Sequence, residues 1–160
     1  MNKKNPGKVI AEKIFLLDCK VFKSNVTTTD EFLNNPGKPS GINFGFAQRT
    51  GFDFENKHVR IGIHILLQGM KSENEQLGIK AEYGFDFLFE VENLDDFILD
   101  ENGKDKKVSG ALGVTLISIA YSTARGMVLE RTYGTYLDGI IIPIINPSEL
   151  MKDDIKKSTN

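Results

Sequence analysis

Leu77-Gly78-Ile79-Lys80-Ala81-Glu82-Tyr83-Gly84-Phe85-Asp86-Phe87-Leu88-Phe89-Glu90-Val91 decides the fold, because every odd position is apolar while the even ones include Lys80, Glu82, Asp86 and Glu90. A two-residue period is the signature of a strand with one side buried and one side wet. Just upstream, Val59, Ile61, Ile63, Ile65 and Leu67 alternate with Arg60, Gly62, His64 and Gln68, and Lys71-Ser72-Glu73-Asn74-Glu75 supplies a polar turn. The two segments read as an antiparallel hairpin. Ile42, Phe44, Phe46, Phe52 and Phe54 share one parity and make a third strand, ended by a turn at Glu55-Asn56-Lys57.

The first segment, residues 9–22, is apolar on both parities: Val9, Ala11, Phe15, Leu17, Cys19 and Val21 on one, Ile10, Ile14, Leu16 and Phe22 on the other. It reads as a fourth strand whose two faces both want cover. Residues 25–40, rich in Thr, Asn, Gly and Pro, form a connection long enough to cross over other strands. Residues 95–107 read as a surface loop around Asn102-Gly103, and Lys104 spoils a calcium-loop pattern from Asp100. From about residue 109 to 132 the apolar residues recur at helical spacing almost all round. One side covers the sheet, and the other calls for a further layer. Leu112, Leu116, Ile117, Tyr121, Ala124 and Val128 are the candidate contacts with another copy of the chain. Asn146 or Pro147-Ser148 starts a last short helix over about 148–157, with Leu150, Met151 and Ile155 as its apolar side.

The fold class is therefore α+β: a four-stranded antiparallel sheet with a crossover after the first strand, one long helix and a short C-terminal helix. At 160 residues, 40% hydrophobic and 26% charged, the chain suits a single domain over 1–160 with an ordered core of about 9–155. A net charge of −2 gives nothing with which to neutralise a phosphate backbone, so nucleic acid is not an expected partner. The longest uncharged run, residues 108–124, falls short of a bilayer span and contains five Ser and Thr residues, so it is expected to be a buried helix with no membrane insertion. Glu12 and Lys13 interrupt any secretory apolar run, and a single cysteine cannot form an internal disulfide. A cytoplasmic address follows as the expectation.

Signals for chemistry are few. His58 and His64 lie six apart on one strand, about 20 Å at ~3.3 Å per residue, and cannot share a metal. Cys19 lacks a neighbouring base in sequence and reads as packing. The pairs Asp95-Asp96 and Asp153-Asp154 read as solvated loop and terminal charges. No phosphate-binding glycine loop, zinc-protease motif or nucleophile elbow occurs. The sequence thus predicts a protein without catalytic residues, metal or cofactor. What it offers is apolar surface, including 11 Phe, four Tyr and four Met, which serves either as core and subunit interface or as a surface for apolar partners.

The order of elements resembles the SecB family of protein-export chaperones across most of the chain. Lys13-Ile14-Phe15 with Asp18 resembles the family's first strand, and Arg60-Ile61-Gly62-Ile63-His64 with Glu82 and Gly84-Phe85 its central hairpin. Ala124-Arg125 resembles the step in its long helix, and Ile142-Pro143-Ile144-Ile145-Asn146-Pro147 the entry to its last helix. The resemblance implies a homotetramer, a dimer of dimers with helices packed between sheets, that holds unfolded preproteins in apolar grooves without ATP. The matching groove positions are Phe15, Leu77, Leu150 and Met151, with Phe32 and Phe44 flanking the crossover. The family docks its export ATPase, SecA, partly through acidic residues on the outer sheet surface. Here the matching positions carry Phe22 or Lys23, and Gly78 and Lys80. Some relatives guard antitoxins, and that alternative stands beside general preprotein clients and beside a non-chaperone structural or small-ligand-binding oligomer.

Overall fold

The structure, a computed structural model, describes residues 7–100 and 106–151. After a single turn of 3-10 helix, β1 (Ile14–Thr28) leads into a short helix α1 (Asp30–Asn34), then β2 (Gly41–Asp53), β3 (His58–Ser72) and β4 (Glu75–Val91). A small hairpin, β5 (Ile98–Asp100) and β6 (Lys107–Val108), precedes the long helix α2 (Gly110–Thr132), and residues 147–151 begin a last helix, α3. The sheet order is β1-β4-β3-β2, all antiparallel, so the connection after β1 crosses over as the sequence implied.

The alternation in β4 does what its period requires. Ile79, Ala81, Tyr83, Phe85, Phe87, Phe89 and Val91 are each at most 1% exposed, and Val59, Ile61, Ile63, Ile65 and Leu67 of β3 pair with them in register. α2 packs across this face of β3 and β4. Leu112, Leu116, Ala120, Ala124, Val128 and Thr132 form its buried ladder at four-residue steps, flanked by Gly113, Ile117 and Tyr121.

β1 corrects the sequence reading. It runs from Ile14 to Thr28, not 9–22, and its mixed parity does not mean that both faces are covered. Register shifts at Leu17 and Phe22 each insert one extra residue against β4. Every such bulge switches the parity that faces the helix. Ile14 and Leu16 face that side first, then Cys19 and Val21, then Ser24, Val26 and Thr28, by their pairing with Val91, Phe89, Phe87, Phe85, Tyr83, Ala81 and Ile79.

The crossover also holds more structure than a loop. Thr29 caps α1 by accepting from the Phe32 amide at 3.2 Å, with Asp30 and Glu31 favourably placed in the first turn. The Thr29 amide donates to the Gly78 carbonyl at 2.8 Å, and the Ser40 amide to the Met70 carbonyl at 2.9 Å, so both ends of the crossover are tied to the hairpin. Gly78 has φ +90, and a Cβ there would stand 2.4 Å from Thr29 Oγ1. Gly78→Ala is therefore expected to cost about 2–3 kcal/mol, from left-handed backbone strain and loss of the cap. Gly51→Ala, with open space around it, should leave the urea midpoint almost unmoved. Equal midpoints for the two variants would contradict the anchoring role.

The loop expected over 95–107 is in part a 3-10 turn (Leu94–Phe97) and the small hairpin; Asn102, Gly103 and Lys104 lie outside the described residues. Asn146 opens α3 as expected: its side-chain oxygen accepts from the Ser148 amide at 3.0 Å. The expected continuation of α3 through Ile155, and the pair Asp153-Asp154, lie outside the described residues.

Candidate binding cleft

Two of the cavities among the described residues share walls from β2 and from the stretch 140–146. The larger, about 840 Å³, opens between the crossover (Pro36, Gly37, Lys38, Pro39) and the turn after α2 (Thr135, Tyr136, Asp138, Gly139), with Gly41 and Ile42 of β2 and Ile140 as further walls. The smaller, about 250 Å³, is lined by Phe46 of β2 and by Ile145, Glu149 and Leu150. Ile42 and Phe46 are four residues apart on one strand, a spacing of about 13 Å. The stretch 140–146 supplies a wall to each cavity, Ile140 to one and Ile145 to the other.

Local sequence explains the walls. Pro36 and Pro39 each fix their own φ and leave the crossover without backbone donors at those positions. Gly134 and Gly139, with φ +74 and +81, turn the chain sharply on either side of Tyr136. Tyr136 then lies edge-on to Phe32, ring centroids 5.0 Å apart, while Leu137 is fully buried and pins the turn to the core. Phe44 and Phe46 stack on each other, and Phe46 meets the Tyr121 ring edge-on at 5.6 Å. Burial pushes the Tyr121 phenol up to about 12, so it stays protonated and donates to the Pro143 carbonyl at 2.7 Å.

The positions named from sequence distribute unevenly around this cleft. Leu150 lines the smaller cavity, and Phe44 is half-buried beside Phe46. Met151 is half-buried near Gly113 at the start of α2, adjacent in sequence to Leu150. Phe32 and Leu77 lie behind the walls: Phe32 is 2% exposed and supports Tyr136, and Leu77 reaches toward Gly37. Phe15 is elsewhere. It is exposed on the outer side of β1, three strand spacings or about 14 Å from β2, and does not join the cleft. Tyr136, Ile42, Phe46, Ile140 and Ile145 were not singled out from sequence as site residues. The glycines bracketing Tyr136 were the available signal.

The six helix positions assigned to a subunit contact, Leu112, Leu116, Ile117, Tyr121, Ala124 and Val128, are at most 3% exposed within the single chain. They form its own core, because the ladder at four-residue steps is the side that meets β3 and β4. The side of α2 left open carries Ile119, Ser122, Thr123, Gly126 and Leu129. Four hydroxyls of α2 turn back onto their own helix: Thr115 donates to the Ala111 carbonyl, Ser118 to Val114, Thr123 to Ile119 and Thr132 to Leu129.

Several other polar groups sit in packing contacts and ion pairs, whereas Tyr83 Oη and Asp86 Oδ1 are buried without a hydrogen-bond partner among the described residues. The Cys19 thiol sits 3.8 Å from Met127 Sδ, and burial, then the charges of Asp18 and Asp86, push its pKa up. On the outer sheet face Glu82 pairs with Lys23, whose hydrogen bond lowers the carboxyl's pKa, and also lies near Lys80; Asp86 pairs with Arg60. Glu82 and Asp86 are thus matched by bases. His58 lines a shallow hollow of about 280 Å³ on that face with Asp53 and Arg60, and His64 is half-buried opposite Gly84. Among the described residues, no group of three or more His, Cys, Asp or Glu could hold a metal.

No protein-family model matches the chain, and no curated protein matches it. Solved structures do. The SecB-like chaperone Rv1957 of Mycobacterium tuberculosis, in complex with a ChAD peptide from the Rv1956 HigA1 antitoxin, is similar at 12% identity and a TM-score of 0.53, over 84% of this chain and 92% of that one. A protein of unknown function from Streptococcus agalactiae aligns at 10% identity and a TM-score of 0.44, over 82% of this chain and 97% of that one. The fold of this chain is SecB-like, a divergent version of it.

Proposed function

We propose that this protein is an ATP-independent holdase of the cytoplasm that binds non-native polypeptides in the cleft beside β2. The observation that carries the reading is the open cleft of about 840 Å³, walled by prolines, glycines, Ile42, Tyr136 and Ile140, on a SecB-like fold. Such walls offer apolar contact from Pro36, Pro39, Ile42, Tyr136 and Ile140 beside the polar Lys38, Thr135 and Asp138, a mixed lining that suits extended clients sharing hydrophobicity and no common sequence. A dedicated client, such as an antitoxin, is a second reading, supported by the antitoxin peptide on the mycobacterial neighbour. Docking on the export ATPase SecA is the weaker branch, because Glu82 and Asp86 on the outer face are neutralised by Lys23 and Arg60.

We propose further that the chain works as an oligomer, the tetramer of two dimers being the form the resemblance suggests. β1 is an edge strand exposing Phe15, Leu16, Leu17, Phe22 and Val26, and a long apolar edge is an aggregation hazard unless another chain covers it. The open side of α2, with Ile119, Gly126 and Leu129 and with Thr123 bonded back onto its own helix, is a second surface suited to close packing.

The test is light scattering of a chemically unfolded client diluted without ATP. Equimolar protein should suppress the scattering, and sedimentation of the same sample should show a dimer or tetramer. Unchanged aggregation with a well-folded oligomer would sink the holdase reading.

A further inference from the structure

Residues 140–146 form a strap with neither helix nor strand geometry. Its ends are fixed, by the Ile140 amide on the Leu137 carbonyl at 3.3 Å and by Asn146 at the start of α3. Between those ends, among the described residues, no backbone hydrogen bond ties it to a helix or strand. Two side chains of α2 do. Tyr121 Oη donates to the Pro143 carbonyl at 2.7 Å, and Arg125 Nε donates to the Ile142 carbonyl at 2.9 Å. Tyr121 and Arg125 are one helical turn apart and so present to the same place, and they take two consecutive carbonyls. The Tyr121 ring meanwhile rests against Phe46 of β2, so one side chain spans from the sheet to the strap.

This arrangement bears on both cavities at once. Ile140, at one end of the strap, walls the larger, and Ile145, at the other, walls the smaller against Phe46. Ile142, between them, is 2% exposed, whereas its neighbours Ile141 and Ile144 are 72% and 84% exposed. The strap is therefore held through the buried Ile142, the partly buried Ile140 and Ile145, and two carbonyls.

We infer that Tyr121 and Arg125 are positioning residues: they latch strap 140–146 at a fixed distance from β2, and so hold the two cavities open at the width that receives a client. The inference rests on the holdase reading for its client half and on geometry alone for its latch half. Arg125 serves here as a donor to a carbonyl, not as a surface charge. A lysine at that position can still donate, since its ammonium lies one atom further along the chain than Arg Nε.

The experiment uses the full-length oligomer labelled at the isoleucine δ1 methyls, with Tyr121→Phe, Arg125→Met and Arg125→Lys. Tyr121→Phe keeps the ring on Phe46 and removes only the hydroxyl. Methyl order parameters of Ile142 and Ile145 should fall in Tyr121→Phe and Arg125→Met, with Ile61 and Ile117 in the sheet and helix core unchanged as internal controls. A fluorescent unfolded client should bind about fivefold more weakly for each latch bond removed. Arg125→Lys should recover most of both signals. Unaltered Ile142 and Ile145 methyls in both variants would overturn the latch, and mobile methyls with unaltered client affinity would overturn its role in binding. Mobile methyls in a protein whose wild type binds no client would support the latch and overturn the holdase reading alone.

Discussion

Phe87→Ala should lower the stability of the protein by about 3–5 kcal/mol, against a total of roughly 5–15 kcal/mol for a domain of this kind. The size of the effect follows from position. β4 is an inner strand, and Phe87 lies opposite Cys19 of β1 on one side and Ile61 of β3 on the other. It is fully buried, and its ring is 6.4 Å from that of Phe85. Truncation removes the transfer energy of the ring and leaves a cavity that the strand ladders on both sides keep from collapsing. Phe22→Ala is the control. Phe22 is 59% exposed at a bulge, its ring lying over Gly84, and its loss should cost under about 1 kcal/mol. Urea unfolding followed by circular dichroism reads both variants. A shift below about 1 kcal/mol for Phe87→Ala would mean that the odd positions of β4 do not face α2.

That register was legible because one side of β3 and β4 is buried along its whole length, which writes a two-residue period into Val59–Leu67 and Leu77–Val91. β1 hid its orientation for a stated reason: the extra residues at Leu17 and Phe22 each flip the parity, and a periodicity argument assumes no such insertions. The two sides of α2 could not be told apart for a different reason. Both are apolar or small, and only tertiary placement decides that Leu112, Leu116 and Ala124 meet the sheet while Ile119 and Leu129 do not. α1 is five residues long, too short to leave a helical period, although Thr29-Asp30-Glu31 carried the cap and first-turn acids.

The cleft was half legible. Leu150 and Phe44 belong to apolar runs that any reading of the pattern reaches. Tyr136, Ile140 and Ile145 become site residues only because Tyr121 and Arg125 bring back a segment that sequence spacing leaves free, and no local period encodes a hydrogen bond between positions 17 and 22 residues apart. Phe15, a groove position by the resemblance, lies away from this cleft, exposed on the outer side of the bulged edge strand β1.

Tyr136→Asp should abolish holdase activity while leaving the protein folded. The residue is 53% exposed, so an aspartate there keeps access to water, and the loss to stability is mainly the edge-on contact with Phe32, about 0.5–1.5 kcal/mol. The loss to binding is larger, because the ring is the largest apolar side chain on the cleft wall and the variant places a carboxylate where an apolar client must sit. A buried aromatic anchor contributes 2 kcal/mol or more at a binding surface, so client affinity should fall at least about 30-fold. An unpaired carboxylate covered by a client adds a desolvation cost on top. Asp138 on the same wall makes the new charge less welcome, and Lys38 across the cleft is the one lining side chain able to offset it. Tyr136→Phe should bind as wild type, and Tyr136→Asp with Lys38→Ala should be at least as poor as the single variant. Scattering assays at equimolar protein, with circular dichroism and sedimentation to confirm fold and assembly, decide the matter. Full suppression by Tyr136→Asp would move client binding away from the β2 side, to the exposed Phe15, Leu16, Leu17 and Phe22 on the opposite edge of the sheet.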